Sequence, residues 1–322
     1  MTHGDRQQTR TRSRVPVPPQ RTAPPRMPPA APRVPARRRT VRRPRTGRRL
    51  LALLLGAALL TGAGWATGRL ELPGLGSAGT GDGAVLAAVE AAARPAGGSI
   101  AVVVARPGGA ARTASGDAGE PRSTASLAKL FVVQQLLERA AQGRVQLRAA
   151  DRADLERAVS RSDDQAMNRL WTRFDGAALV RATAGEFGLT GTAPPAVPGQ
   201  WGQTTTTADD LAQFLGTLPR HLRDGDLADL TGWMRAASAR GADGFDQAFG
   251  LRSTAVDGDG DVAVKQGWMC CVDGRRDLHS VGLLPDGTAV VLLGRFPEST
   301  SWATARTALD RAARGVTRAA GR

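Results

Sequence analysis

The apolar runs that read as β-strands stand near the two ends of one long segment, with a helix-like stretch between them. Ser99-Ile-Ala-Val-Val-Val-Ala105 is a compact β-branched run broken by Pro107-Gly-Gly, and Ala111–Ala114 follows as a weaker strand. Strands return only at Val262–Gly267, Leu278–Leu284 and Thr288–Phe296, the last two joined by the tight-turn sequence Pro285-Asp-Gly. Between them, residues 124–217 read as helical, with breaks at Gly143, Gly188 and the loop Pro194–Gly202, and Asp226–Ala237 adds a further helix. A short helix is predicted at Ala84–Ala93, and the final segment, Thr300–Ala319, has apolar residues at helical spacing. Such an order predicts an α+β fold: an antiparallel sheet built from both chain ends, terminal helices on one face, and the helical block inserted as a second lobe, in three α/β/α layers. No internal repeat is visible.

The net charge of +15 is confined to one end. Residues 1–49 hold fifteen Arg against the single acid Asp5, which is +14, so the rest of the chain carries +1. That tail has ten of the twenty prolines and few large apolar residues, and is predicted to be a disordered, basic cytoplasmic segment. No nucleic-acid partner is expected for the folded domain. Residues 50–67 form an uncharged apolar run after Arg48-Arg49, about the minimum length that crosses a bilayer. With the arginines kept inside, the run is a transmembrane anchor that leaves the remainder extracellular at the cell membrane. A cleaved signal segment, giving a secreted protein, is the alternative. Residues 68–82 then form a Gly/Ser/Thr-rich linker, and residues 83–320 the folded domain, expected to be monomeric.

Two cysteines, Cys270 and Cys271, are adjacent. Across a trans peptide their Cα atoms lie about 3.8 Å apart, short of the usual disulfide span, so the choices are a vicinal bridge or two buried thiols.

Lysine occurs only at Lys129 and Lys265, in a chain that otherwise uses arginine for positive charge. A desolvated ammonium can surrender a proton near neutral pH and a guanidinium cannot, so both positions are candidate chemical sites. Ser126 and Lys129 share one face if a helix begins near Thr124, with the serine in its first turn and the amine placed to activate the hydroxyl. Ser162-Asp163-Asp164 offers a second hydroxyl to relay protons and a carboxylate to meet a substrate amide; as a bland alternative it is an inter-helix turn. Lys265-Gln266-Gly267 lies on a predicted strand, where glycine lets a ligand backbone approach and the Trp268 N–H can join that of Ser126 in an oxyanion hole.

In this order and spacing, the three strings resemble the S-x-x-K, S-D-N and K-T-G motifs of the class A β-lactamases and penicillin-binding proteins. The resemblance spans roughly residues 83–320 and includes Thr204-Thr-Thr-Thr207 and Trp233-Met234. It implies an acyl-enzyme serine hydrolase in which Ser126, Lys129, Ser162 and Lys265 are catalytic, and Asp164, Gln266, Gly267 and Trp268 bind substrate. The substrate would be a small β-lactam or a peptidoglycan-type peptide, with no cofactor and no metal. With no tyrosine in the chain, Ser162 alone can fill the second hydroxyl position. Lys129 is the lysine expected to lose its proton, and Lys265 the one expected to stay charged.

The departures are specific. Asp164 stands for the family's Asn and Gln266 for its Thr or Ser. The loop between Leu189 and Thr204 carries no acid to activate a deacylating water, and the nearest, Glu186, precedes it in a helical stretch. Acylation without fast β-lactam turnover is therefore expected, and a binding module that keeps the fold to recognise peptidoglycan or a protein is the alternative. A Ser-His-Asp triad is disfavoured: His3 lies in the tail, and His221 and His279 read as surface or strand-edge residues. Asp257-Gly-Asp-Gly-Asp261 lacks a closing Glu and reads as a turn rather than a calcium loop.

Overall fold

Five strands pair into one antiparallel sheet whose order is β2-β1-β7-β6-β5. A computed structural model describes residues 80–253 and 261–320, together with Met1. The predicted tail, the anchor and residues 68–79 of the linker lie outside the described residues, as does Asp257–Gly260 of the Asp/Gly string. The strands are β1 (Ser99–Ala105), β2 (Arg112–Ala114), β5 (Ala263–Val272), β6 (Arg275–Leu283) and β7 (Ala289–Pro297). Two short strands, β3 (Arg122–Ser123) and β4 (Thr205–Thr206), pair separately.

Strand alternation sorts the core into two halves. Val102, Val104, Val264, Leu278, Val290 and Leu292 pack with α1 (Thr80–Ala93) and α8 (Trp302–Ala320). Ala101, Val103, Ala263, Val281, Val291 and Leu293 face the helical lobe. That lobe comprises α2 (Ala128–Ala141), α3 (Ala149–Ser160), α4 (Asp164–Phe174), α5 (Gly176–Phe187), α6 (Ala208–His221) and α7 (Asp224–Arg235). The sequence expectation of a sheet from both chain ends between terminal helices and an inserted lobe is the observed architecture.

The helical block is cut more finely than glycine and proline signals predict, because aspartates and a threonine cap its helices. Asp163 accepts from the Gln165 and Ala166 N–H groups to start α4, Asp175 accepts from Ala178 N for α5, and Thr207 accepts from Asp210 N for α6. Strand β5 runs five residues past Gly267, through Trp268-Met-Cys-Cys-Val, a stretch that begins and ends on strong strand formers. Cys270 and Cys271 are joined by a disulfide across a cis peptide, one exposed and the other half-buried, which sets aside the alternative of two buried thiols. The first three residues of α1 were expected in the linker.

Candidate active site

Ser126 lies in the first helical turn after Thr124, as expected, but that turn is a single 3-10 turn (Ala125–Leu127) leading directly into α2 rather than part of the α-helix itself. Three contacts fix this turn from outside. The Thr124 N–H donates to Thr204 O at 2.7 Å, tying it to the loop before α6. His279 Nε2 lies 2.8 Å from Ser123 O. Edge strand β5 runs beside it at Gly267, where an added Cβ would come within 2.9 Å of Thr124 O. The glycine is therefore required by the protein's own packing, and Gly267 holds the serine turn against the strand. Ala125, just before the serine, has a left-handed φ of 47°; such a conformation in a residue with a side chain persists only where the surroundings enforce it.

His279 is a correction to the sequence reading. It lies fully buried within β6, not at the surface, and burial lowers its pKa. Its cross-strand partner is Gly267, so the absent side chain there leaves room for the imidazole. His221 ends α6 and stacks on Phe187 at 3.7 Å.

Ser162 occupies the short link between α3 and α4, so the inter-helix turn and the chemical string are the same residues. Its φ of 51° is also left-handed. Lys265, on the lobe-facing side of β5, completes the group. The exposures of Ser126, Lys129, Ser162 and Lys265 are 4%, 0%, 3% and 1%.

A continuous hydrogen-bond chain joins them. Lys129 Nζ lies 2.7 Å from Ser126 Oγ and 3.3 Å from Ser162 Oγ, and Lys265 Nζ lies 2.8 Å from Ser162 Oγ. Lys129 also donates to Ser162 O at 2.9 Å and to Asp164 Oδ1 at 2.6 Å. These last two only accept. In a neutral amine they take both N–H groups and leave the lone pair for the Ser126 hydroxyl; in an ammonium the third N–H goes to Ser126 Oγ. The geometry thus serves both protonation states.

The charge partners are distributed opposite to the sequence expectation. Asp164 forms an ion pair with Lys129, and the Trp201 ring centroid lies 4.7 Å from the same Nζ; both favour the ammonium. Burial nevertheless lowers the Lys129 pKa, opposed chiefly by Asp164. Lys265 contacts no carboxylate among the described residues; its Nζ donates to Ser162 Oγ and Gln266 O, each at 2.8 Å, and lies 5.9 Å from the Trp268 ring centroid. Two acceptors for three donors suit an amine better than an ammonium. Burial, and then the neighbouring Lys129 charge, push its pKa well below the usual lysine value.

The loop before α6 brings Trp201, in a 3-10 turn (Trp201–Gln203), to the place where an acid was sought. Its indole donates to Asn168 Oδ1 at 2.7 Å, and Gly202 beside it packs near Ala125 and Met269. Nothing in the sequence marks Trp201 except its being a large apolar residue in a Pro/Gly loop. Glu186 is exposed and accepts from Gln135 Nε2.

Gln266 and Trp268 project to the opposite face of β5 from Lys265. Gln266 is fully buried, with Nε2 3.5 Å from Phe249 O, and Trp268 stacks on Phe245 at 4.7 Å while donating to Asp243 Oδ2 at 3.0 Å. A substrate at Ser126 would meet the backbone of Gln266 rather than its side chain, whereas the half-buried Trp268 ring lies 5.9 Å from Lys265 Nζ. A groove of about 730 Å³ between α3 and α4 is lined by the ion pairs of Arg148, Asp151, Asp154 and Arg169, and contains none of the four site residues.

The fold is that of the β-lactamases. A β-lactamase from Chitinophaga pinensis superposes with a TM-score of 0.62 at 17% identity, covering 73% of this chain and 99% of that one. One from Sphaerobacter thermophilus gives 0.58 at 18% identity over 74% and 97%, and an ancestral class A β-lactamase gives 0.57 at 21% over 73% and 99%. In sequence, the chain is 34% identical over 200 residues to a Mycobacterium tuberculosis protein named "Putative lipoprotein LppW". The match takes in 60% of this chain and 61% of that protein's length. No protein-family model matches.

Proposed function

We propose that the domain is a serine hydrolase that forms an acyl-enzyme at Ser126. The observation that carries this reading is the unbroken chain Ser126 Oγ–Lys129 Nζ–Ser162 Oγ–Lys265 Nζ, buried and ending in an amine without a counter-ion. At rest the single positive charge sits on Lys129, held by Asp164 and Trp201. Passing a proton through the Ser162 hydroxyl to Lys265 leaves Lys129 neutral and competent as a base. Ser126 Oγ then attacks the acyl carbon, its proton moves to Lys129, and the tetrahedral oxyanion faces the backbone N–H groups of Ser126 and Trp268. As the carbonyl re-forms, the bond to the leaving group breaks. Ser162 gives that group a proton and is refilled from Lys129.

Deacylation needs a water activated next to the ester, and the loop that would supply an acid supplies an indole instead. The acyl-enzyme is therefore long-lived. The same feature favours the second reading, a binding module that recognises a peptidoglycan-type or protein ligand with little turnover. Intact mass after incubation with a panel of β-lactams and a fluorophosphonate, with Ser126→Ala as control, separates the two. A stable adduct lost in Ser126→Ala supports the hydrolase, whereas an unmodified protein under every condition favours the binding module. Rapid nitrocefin turnover would contradict the missing deacylation step.

Export with membrane association is the localisation this reading takes, in keeping with the name of the mycobacterial relative. Residues 50–67 would provide the attachment. Deleting them should move the protein from the membrane to the soluble fraction. Among the described residues, no helix is long and apolar enough to cross a membrane.

A further inference from the structure

We infer that Asp164 selects substrates carrying a free ammonium group on the carbon next to the scissile carbonyl, such as unblocked aminoacyl esters or amides. The inference rests on the acyl-enzyme reading of Ser126. Asp164 is the first residue of α4, with 55% of its side chain exposed, so it faces the mouth of the site rather than the core. Its Oδ1 is held by Lys129, and among the described residues no partner engages Oδ2. Ser126 Oγ and Asp164 Oδ1 both bond Lys129 Nζ, at 2.7 and 2.6 Å, so they can be no farther apart than those two bonds laid end to end. An acyl group on Ser126 carries its α-nitrogen two bonds from the carbonyl carbon, within hydrogen-bond reach of that carboxylate.

An ionised carboxylate only accepts. It can bind an ammonium or amine there, and it repels the carbonyl oxygen of an N-acyl group, which an amide side chain would serve. Other nearby features point to the same polarity. Trp201 offers the face of an indole already used by one cation, and Asp243 lies close enough to raise the pKa of both lysines. Across β5, Gln266 points away, so no side chain there offers a hydroxyl to a substrate carboxylate.

Recognition and activation are then coupled. A substrate ammonium beside Asp164 replaces Lys129 as its counter-ion, which disfavours charge on Lys129 and drives the proton through Ser162 to Lys265. The base is released when the right substrate arrives.

The test uses the full chain with two achiral esters, glycine p-nitrophenyl ester and N-acetylglycine p-nitrophenyl ester, at a pH where the free amine is protonated. Each kcat/KM is divided by the spontaneous hydrolysis rate and corrected with Ser126→Ala. The expected result is a preference for the unblocked ester of at least about tenfold, kept in Asp164→Glu and lost or reversed in Asp164→Asn. Equal use of both esters, a preference for the blocked one, or an unchanged ratio in Asp164→Asn overturns the inference while leaving Ser126 acylation standing. If neither ester, nor any β-lactam or fluorophosphonate, modifies Ser126, the hydrolase reading falls and the inference with it.

Discussion

Asp164 Oδ1 is bonded to Lys129 Nζ at 2.6 Å, and Lys265, the other lysine of the chain, touches no carboxylate among the described residues. The pair therefore works with unequal members: both amines are buried, but Lys129 has a carboxylate in direct contact and Lys265 has only more distant ones, Asp164 and Asp243. A buried cation lacking an anion is among the costliest arrangements a core can hold.

Stability should consequently rise with pH on the alkaline side. The folded-state pKa of Lys265 lies below the ordinary 10.5, so between those values the unfolded chain binds more protons than the folded one. Stability is flat below the folded pKa, climbs through the window, and is fully gained above 10.5. Lys129 acts in the same direction. With no tyrosine, and both cysteines in a disulfide, few other groups titrate there, so urea midpoints between neutral pH and 10.5 read the lysines directly. Lys265→Met should remove a large part of the slope, leaving that of Lys129, and raise the urea midpoint at pH 7. A flat or falling wild-type profile would refute the assignment.

Trp201→Ala removes the ring beside Lys129 and uncovers a serine that is 4% exposed. Labelling of Ser126 by a fluorescent penicillin should accelerate roughly three- to tenfold, and the adduct should decay faster as water gains access. Stopped labelling or a longer-lived adduct would show that the indole supports the site instead of capping it.

Arg122 is 2% exposed and donates to Leu293 O on β7, Ser99 Oγ on β1 and Asp117 Oδ2. It thereby ties the strand leading into Ser126 to the central sheet. Arg122→Met strands the Asp117 charge and frees the sheet carbonyl, at a cost of roughly 3 kcal/mol. Thermal melting measures the loss, and slower labelling should accompany it.

Reducing the Cys270–Cys271 disulfide should change stability by only about 1 kcal/mol, because a bridge between adjacent residues removes little entropy from the unfolded chain. Melting with and without a thiol reductant checks this.

The four residues of the candidate site were legible because scarcity did the sorting: where arginine is the rule, each lysine invites a question, and both lead to Ser162. The sheet was legible because its strands are dense β-branched runs that alternate between two cores. What escaped were relationships across space. Asp164 reads from the string as a substrate contact, but its second tie, to Lys129 35 residues earlier, is invisible in one dimension. His279 looked like a strand-edge residue because its burial depends on Gly267 of the next strand and on the turn at Ser123. Trp201 carried no signal beyond being a large apolar residue in a Pro/Gly loop.

One consequence lies in the chemistry of the surface. Both lysine side chains are enclosed, at 0% and 1% exposure, so every long basic group that meets solvent in the described domain is an arginine. To an amine-acylating reagent the folded domain offers almost no lysine target. A reagent that does reach Lys129 or Lys265 has caught the lobe and the sheet apart, which makes slow lysine modification a clock for how often this molecule opens.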